Sequence, residues 1–281
     1  MKEIDEILQG SIDMHVHNGP DANIDRRVDA LQAALQAQEM GMRAIVLKSH
    51  DYPTAPVAYH VKQVVPDLEI FGSISLDLTV GGLNPHAVEA SAGLDARVVW
   101  MPTFNSTCDM KRKNLPGGVP LLDENGKTVP ALDEVLQVIK AHDMVVATGH
   151  ISKPEVFAMV DRAKALGLQK IVITHPFLER WGAYLNLEEQ QQMADKGAFL
   201  EYTFSITLPM HSRLDPMKIV EAVKLIGAEH CIMSTDLGQE WNMPPAEGMR
   251  MGIATMLKCG LSRQEIEIMI KENPAKLLGL E

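Results

Sequence analysis

The sequence predicts a (β/α)8 barrel, a TIM barrel of the α/β class, formed as a single domain by residues 1–281. Eight short apolar runs rich in β-branched residues follow one another along the chain, and segments of helical length separate them. This alternation is typical of a parallel sheet covered by helices. A doubly wound open sheet also alternates, but no GxGxxG motif follows the first run. Eight similar units within about 250 residues favour the barrel.

Each predicted strand is a continuous apolar run. The eight runs are residues 11–17, 44–50, 69–76, 97–103, 144–150, 170–176, 198–204 and 231–238. Three intervening segments carry an apolar stripe and end at glycine, which predicts helices over 27–41, 153–167 and 215–227. Residues 104–130 contain Pro-Gly-Gly and Asn-Gly and predict a hairpin-like insertion after strand four, for which a lid is one interpretation.

Composition excludes several classes of protein. The chain is 46% hydrophobic and 22% charged, as in a globular protein, and its formal charge of −11 argues against a nucleic-acid partner. Cys108, Cys231 and Cys259 lack metal-site spacing and cannot all pair, which favours a reducing compartment. No run suits a secretory signal or a membrane span. We expect a cytoplasmic protein that acts on a small molecule and has no membrane partner. A homo-oligomer is one option for its assembly.

Chemistry-bearing side chains collect where the predicted strands end. Five of the ten histidines fall there or close by, with one lysine and one aspartate: His15, His17, Lys48, His50, His150, His175 and Asp236. The carboxyl ends of barrel strands meet at one face, where the active sites of this fold lie. Neutral imidazoles and a carboxylate that converge there suit a divalent ion, most of all Zn²⁺, with Mn, Fe or Ni as alternatives. Such an ion activates water for attack on an electrophile.

This ordered set resembles the amidohydrolase superfamily. The likeness consists of HxH on strand one, histidines on strands five and six, aspartate on strand eight, and the closing segment NPAKLLGL over 273–280. The resemblance implies the barrel fold and a metal site formed by His15, His17, His150 and Asp236. For His175 it implies one of two roles: this histidine binds a second ion, or it contacts water or substrate. Strand four ends in RVVWMPTF without a lysine or carboxylate to bridge two ions, which favours one ion.

Roles follow for the remaining polar residues. We expect Asp236 to transfer the proton, and His175 and Lys48 to stabilise developing negative charge. Lys48 has two interpretations: its ammonium pairs with an anionic substrate, or it is carbamylated and bridges two ions. Asp13 is expected on the face of His15 as a partner of a ligand imidazole. Glu201 points either into the barrel or toward the helices.

Substrate contacts are expected from the loops that follow the strands. The candidates are Lys48, His50, Arg180, Arg213, Trp181 and Trp241, with solvated loop charges as the alternative for the two arginines. The other five histidines lie in predicted helices or turns and are expected at the surface. His211 is the favoured exception, because it follows strand seven. The favoured function is a metal-dependent hydrolase of an amide, lactone, imide or ester. The alternatives are a non-oxidative decarboxylase or C–C hydrolase on the same scaffold, and a non-catalytic metal or small-molecule binding protein.

Overall fold

Eight parallel strands form one sheet in which each strand pairs with the next along the chain. A computed structural model describes residues 2–280. The strands are β1 (Ile12–His17), β2 (Ala44–Lys48), β3 (Glu69–Ser75), β4 (Ala96–Trp100), β5 (Val145–Ala147), β6 (Ile171–Thr174), β7 (Phe199–Thr203) and β8 (Cys231–Ser234). A parallel bridge between Val16 and Leu237 joins the segment that follows β8 to β1 and closes the sheet. The predicted (β/α)8 barrel is confirmed.

Helices cover the outside of the sheet. They are α1 (Lys2–Leu8), α2 (Ala30–Glu39), α3 (Ala55–Val64), α4 (Pro85–Gly93), α5 (Thr107–Arg112), α6 (Pro130–Ala141), α7 (Lys153–Ala165), α8 (Leu187–Asp195), α9 (Pro216–Ile226), α10 (Pro245–Cys259), α11 (Arg263–Glu267) and α12 (Asn273–Leu278). Short 3₁₀ turns span Leu78–Val80, Phe204–Thr207 and Ala228–His230, and a π turn spans Ile268–Glu272. The three predicted helices correspond to α2, α7 and α9. Within residues 2–280, no helix is both long and apolar enough to cross a membrane.

The connection after β4 is more structured than a hairpin. It begins with α5, whose N-cap Ser106 accepts from the amide of Asp109 and donates its hydroxyl to the carbonyl of His150, at 2.9 Å. A single antiparallel bridge between Leu122 and Thr128 is the hairpin-like part. The Ser106 contact fixes the start of this connection against the end of β5.

One apolar layer lies on each side of the sheet. The outer layer packs helices against strands, and the inner layer fills the barrel. Helix α12 adds Ala275, Leu277 and Leu278 to the inner layer, so it plugs one end of the barrel. Asn273 at the start of this helix donates to the carbonyls of Ala228 and Cys231. The polar residues described below lie at the opposite, carboxyl end of the strands.

A bulge in β1 aims its histidines into the barrel. Asp13 pairs with Ile45, but Val16 pairs with Leu47, so the register shifts between them. Residues 12 and 14 pack in the inner layer, whereas Val16 packs in the outer layer. Two consecutive residues, 14 and 15, therefore face inward, and His15 and His17 reach the barrel mouth. The expectation that Asp13 shares the face of His15 is wrong because the bulge inverts the alternation.

Candidate metal centre

His15, His17 and Asp236 bring one ligand atom each to a common point at the barrel mouth. Asp236 Oδ1 lies 3.2 Å from His15 Nε2 and 3.0 Å from His17 Nε2. All three ligand atoms lie within 4.8 Å of one another, and all three residues are buried. Two imidazole nitrogens and a carboxylate oxygen at these separations form a donor set that suits a divalent cation.

Asp236 follows β8 in a strained conformation. Its φ is +53°, and its amide donates to the carbonyl of His15 at 2.9 Å. Ser205 donates to its second oxygen, Oδ2, at 3.0 Å. Burial alone would raise the pKa of Asp236, but the adjacent His15 and His17 outweigh burial and hold the pKa well below its usual range. A left-handed conformation at a residue other than glycine is typical of functional sites, and here it places the carboxylate beside the two imidazoles.

Glu201 orients the first histidine of the pair. It is buried on β7 inside the barrel, and its Oε1 lies 3.2 Å from His15 Nδ1. A carboxylate on the far nitrogen fixes the orientation of a ligand imidazole and leaves Nε2 for a metal. Burial lowers the pKa of His15, but Asp236 and Glu201 outweigh it and leave that pKa raised. Asp13 contacts the backbone amide of His15 and the side chain of Thr235, so Glu201, rather than Asp13, is the partner of the ring.

His150 and His175 face the same opening from the ends of β5 and β6. Their ring centroids lie 5.3 Å apart, and the His175 ring lies 6.4 Å from that of His15. Both stand outside the close group of three ligand atoms. Burial lowers the pKa of both imidazoles, that of His175 to about 4, so both are neutral at neutral pH.

Unpartnered ring nitrogens support a metal at this place. Nδ1 of His150 and of His175 is buried and has no hydrogen-bond partner among residues 2–280. A buried polar atom without a partner costs about 1–3 kcal/mol, and neutral imidazole is the form that binds metal. The residues present therefore fit a divalent ion, with His15, His17 and Asp236 closest together and His150 and His175 beside them.

Lys48 lies beneath the opening. Its Nζ is 2.9 Å from His15 Nε2 and 4.2 Å from the ring centroid of Trp100. Burial lowers its pKa to about 8, against the opposing effect of Asp236 and Glu201. It is not among the residues that line the cavity above. Its ammonium therefore acts on His15, and the Nε2 lone pair cannot serve both this ammonium and a metal ion.

A cavity of about 190 Å³ opens above the histidines. This volume suits a small molecule, since pockets for drug-sized ligands measure about 300–1,000 Å³. Of the predicted substrate contacts it includes His50, Arg180, Trp181 and Trp241. Arg213 lies outside: it is exposed, and its Nε donates to the carbonyl of Pro209 at 3.0 Å. The lining comprises His17, Ile24, Arg26, His50, Phe104, His150, His175, Leu178, Arg180, Trp181, Met210, His211, Asp236, Gln239 and Trp241.

A buried relay sets the tautomer of His50. Asp77 Oδ1 accepts from the amides of Thr103 and Asn105, and Oδ2 accepts from the Thr103 hydroxyl. The Thr103 oxygen lies 2.7 Å from His50 Nδ1. Because the hydroxyl hydrogen points to Asp77, His50 Nδ1 must carry the proton that Thr103 accepts. His50 Nε2 is then left with a lone pair.

Sequence reasoning missed Asp77, Arg26 and Phe104. Asp77 follows β3 near the rim, so the strand-end criterion used for the histidines could have found it. Arg26 lies in a loop with an adjacent arginine, and no local pattern shows which of the two faces inward. His211, the exception expected among the other histidines, does line the cavity. Its Nε2 accepts a hydrogen bond from the Asn242 side-chain amide at 2.9 Å.

Solved structures share this fold over the whole chain. An amidohydrolase from Pseudomonas aeruginosa matches at 11% identity and a TM-score of 0.66, with 99% of this chain and 97% of that chain covered. The phosphotriesterase homology protein from Escherichia coli, complexed with phosphate in its active site, matches at 15% identity and 0.66, with 96% and 99% covered. The 2,6-dihydroxybenzoate decarboxylase from Rhizobium matches at 13% identity and 0.57, with 97% and 99% covered. These likenesses confirm the resemblance at the level of the fold.

No curated protein matches the sequence. A family model described as a family of unknown function (DUF6282) matches residues 10–201, which is more than half of the chain. The matched range runs from just before β1 to Glu201 on β7 and includes His15, His17, His150 and His175. The chain belongs to this family.

Proposed function

We propose that the protein is a metal-dependent hydrolase that acts on a small amide, lactone, imide or ester. The observation that carries the proposal is the convergence of His15 Nε2, His17 Nε2 and Asp236 Oδ1 within 4.8 Å, at the floor of a cavity. The barrel places this point at the carboxyl ends of the strands, where enzymes of this fold bind substrate. A non-catalytic metal or small-molecule binding protein is the alternative, and it predicts tight ligand retention with no turnover across a broad substrate panel.

A bound divalent ion would supply Lewis-acid chemistry and lower the pKa of water. His15, His17 and Asp236 would hold it, with His150 or His175 as further ligands. Asp236 is ionised and adjacent, so it accepts a proton during attack. His175 and His50 line the cavity and can form hydrogen bonds to the substrate. The Lys48 ammonium adds positive charge beside His15 Nε2, and it would give up its contact with that atom to a bound ion.

We propose Zn²⁺ and a single ion. Nitrogen and carboxylate donors in this number suit zinc. The end of β4 supports a single ion, because Trp100, Met101, Pro102 and Thr103 include no lysine or carboxylate. The same observation favours the alternative function, a non-oxidative decarboxylase or C–C hydrolase, and one of the similar folds is a decarboxylase. Release of CO₂ from a carboxylated substrate would decide for the decarboxylase.

The proposal is tested by metal analysis and turnover on a substrate panel. Protein purified without chelator should contain metal, a chelator should abolish turnover, and the metal should restore it. We expect His15→Ala to lower metal affinity at least about 100-fold and Glu201→Gln to lower it about 10- to 100-fold. His60→Ala, an exposed histidine on α3, is the matched control. Full metal content and activity in His15→Ala would refute the proposal.

Lys48→Met tests for one ion in the same assay. Removal of an ammonium 2.9 Å from His15 Nε2 should leave metal binding intact or strengthen it, because a like charge is lost. Loss of metal in this variant, together with a need for bicarbonate in the wild type, would instead show a carbamylated lysine. The single domain, the cytoplasmic location and the absence of a nucleic-acid partner stay predictions, and a homo-oligomer is one option for the assembly.

A further inference from the structure

Arg26 is a buried cation in the wall of the cavity that the proposed hydrolysis leaves unused. Its side chain is 3% exposed, and it lines the cavity with His17 and Asp236. Arg180, the other arginine of the lining, is exposed and lies over Trp181, 5.2 Å from the ring centroid. Arg26 is thus the guanidinium held inside the site, and its burial needs a reason.

The loop after β1 holds Arg26 in place through its backbone. The amide of the next residue, Arg27, donates to the carbonyl of Gly238 at 2.8 Å, and the amide of Glu240 donates to the carbonyl of Asp25 at 3.0 Å. A bridge between Arg26 and Gln239 accompanies these bonds. Two loops are therefore joined beside Asp236, and Arg26 projects from this junction. His17 lines the same cavity as Arg26, so the guanidinium and this ring border one space.

Asp21 occupies one edge of the guanidinium and leaves the other edge free. Asp21 Oδ2 accepts from Arg26 Nε at 2.9 Å and also from Nη2. Asp21 Oδ1 accepts from the amides of Asn23 and Ile24 at 2.8 and 2.9 Å, so the carboxylate is fully engaged by its own loop. A guanidinium has five N–H donors in a planar fork. Nη1 has no hydrogen-bond partner among residues 2–280, so the Nη1–Nη2 edge presents two parallel N–H groups.

We propose that Arg26 binds an oxyanion of the substrate, a carboxylate or a phosphate, through this free edge. An anion with two adjacent oxygens matches the edge in a bidentate pair, which is the strong form of this interaction. The cavity is lined by Arg26, His17 and Asp236, so it has room for the rest of a small substrate between the guanidinium and the candidate metal centre. The inference rests on the proposed function for the reacting site, and it assigns the substrate class: a small molecule whose labile bond lies near an anionic group.

The test is equilibrium binding rather than turnover. Isothermal titration with malonate, succinate, benzoate and inorganic phosphate, and with the neutral succinamide, is carried out on metal-loaded and chelator-treated protein. Tryptophan fluorescence gives a second signal, because Trp181 and Trp241 line the cavity. We expect at least one anion to bind and succinamide not to bind. The chelator-treated arm separates binding to Arg26 from binding to an ion, and the ranking of carboxylates against phosphate identifies the anion.

Three variants decide the role of Arg26. Arg26→Gln should weaken anion binding about tenfold or more, and Arg26→Lys should also weaken it because the fork is lost. Arg27→Gln, with the same charge change at an exposed neighbour, should leave binding within about twofold. The double variant Asp21→Asn with Arg26→Gln leaves no unpaired carboxylate, and we expect it to stay as weak as Arg26→Gln.

Three results would overturn the inference: unchanged binding in Arg26→Gln, restored binding in the double variant, or no binding of any anion to the wild type. Metal content is measured on the same samples. Anion binding that depends on Arg26, in a protein that contains no metal when purified without chelator and takes up none on titration, would refute the metal-dependent hydrolase and keep this inference. Metal-dependent turnover, with anion binding that is unchanged in Arg26→Gln, would keep the hydrolase and refute this inference.

Discussion

Asp77 decides which nitrogen of His50 carries a proton, through one hydroxyl. In Asp77→Asn the amide oxygen can still accept from the two backbone amides, but the amide nitrogen then donates to Thr103. The Thr103 hydroxyl must turn and donate to His50 Nδ1, 2.7 Å away. We expect the His50 proton to move from Nδ1 to Nε2, as measured from ¹⁵N chemical shifts of the imidazole. The His211 ring, whose Nε2 accepts from Asn242, is the internal control and should not change.

The same variant has a defined effect on stability against pH. Burial raises the pKa of Asp77 above its ordinary 3.8. The folded protein therefore binds more protons than the unfolded chain between 3.8 and the raised value. The free energy of unfolding of the wild type, relative to Asp77→Asn, should fall as pH rises through that interval. Urea unfolding at a series of pH values measures it, and a relative stability that rises with pH would contradict the raised pKa.

At the scale of single residues, sequence reasoning depends on where a residue stands along a strand. His15, His17, His150, His175 and Asp236 could be proposed because each follows or ends an apolar run. Glu201 could not be oriented, because strand register is uncertain by one residue and one residue reverses the face. Arg26 depends on hydrogen bonds between two loops distant in sequence, and no local pattern carries that information.

At the scale of elements, the strands end earlier than their apolar runs. The runs 144–150, 170–176 and 231–238 extend past Ala147, Thr174 and Ser234. His175 and Asp236 have φ of +31° and +53°, and Gly149 has +57°, so the chain leaves the sheet at the rim. Hydrophobic periodicity predicts burial and strand order. It does not report these dihedral angles, or the bulge that turns His15 inward, because the residues there stay buried.

Gly149 lets the chain turn out of the sheet after β5, and its substitution should lower the free energy of unfolding. A Cβ at this position would lie 2.3 Å from the backbone oxygen of Met101, and φ is +57°. Gly149→Ala should therefore lose stability through left-handed strain of about 1–2 kcal/mol and through overpacking of about 1–3 kcal/mol. Since His150 is the next residue, metal affinity should fall as well. Urea unfolding and metal titration measure the two effects.

Gly10 provides the matched control. Its φ of +76° imposes the same kind of strain, but a Cβ there meets nothing within 4 Å. Gly10→Ala should show the strain alone and leave metal affinity unchanged. Equal losses of stability in the two variants would show that the contact with Met101 does not restrict β5, and that the exit of the chain there tolerates a side chain.

At the scale of the whole molecule, the stabilising contacts of α12 and the candidate metal centre lie at opposite ends of the barrel. Helix α12 packs Leu277, which is 2% exposed, into the inner layer below the strands. Leu277→Ala should lower the free energy of unfolding by about 2–5 kcal/mol, since it leaves a cavity that the rigid barrel cannot close. Metal affinity and anion binding should stay unchanged because the donor atoms lie at the carboxyl ends of the strands.

Leu225→Ala is the control for this separation. Leu225 lies on α9 and is 55% exposed, so its truncation should change stability by no more than about 0.5 kcal/mol. Urea unfolding and metal titration on both variants measure the two properties independently. If Leu277→Ala weakened metal binding in conditions where the protein stays folded, the inner layer would be transmitting the packing of α12 to the histidines. The barrel would then behave as one coupled unit, and substitutions far from the cavity would have to be included in any account of its chemistry.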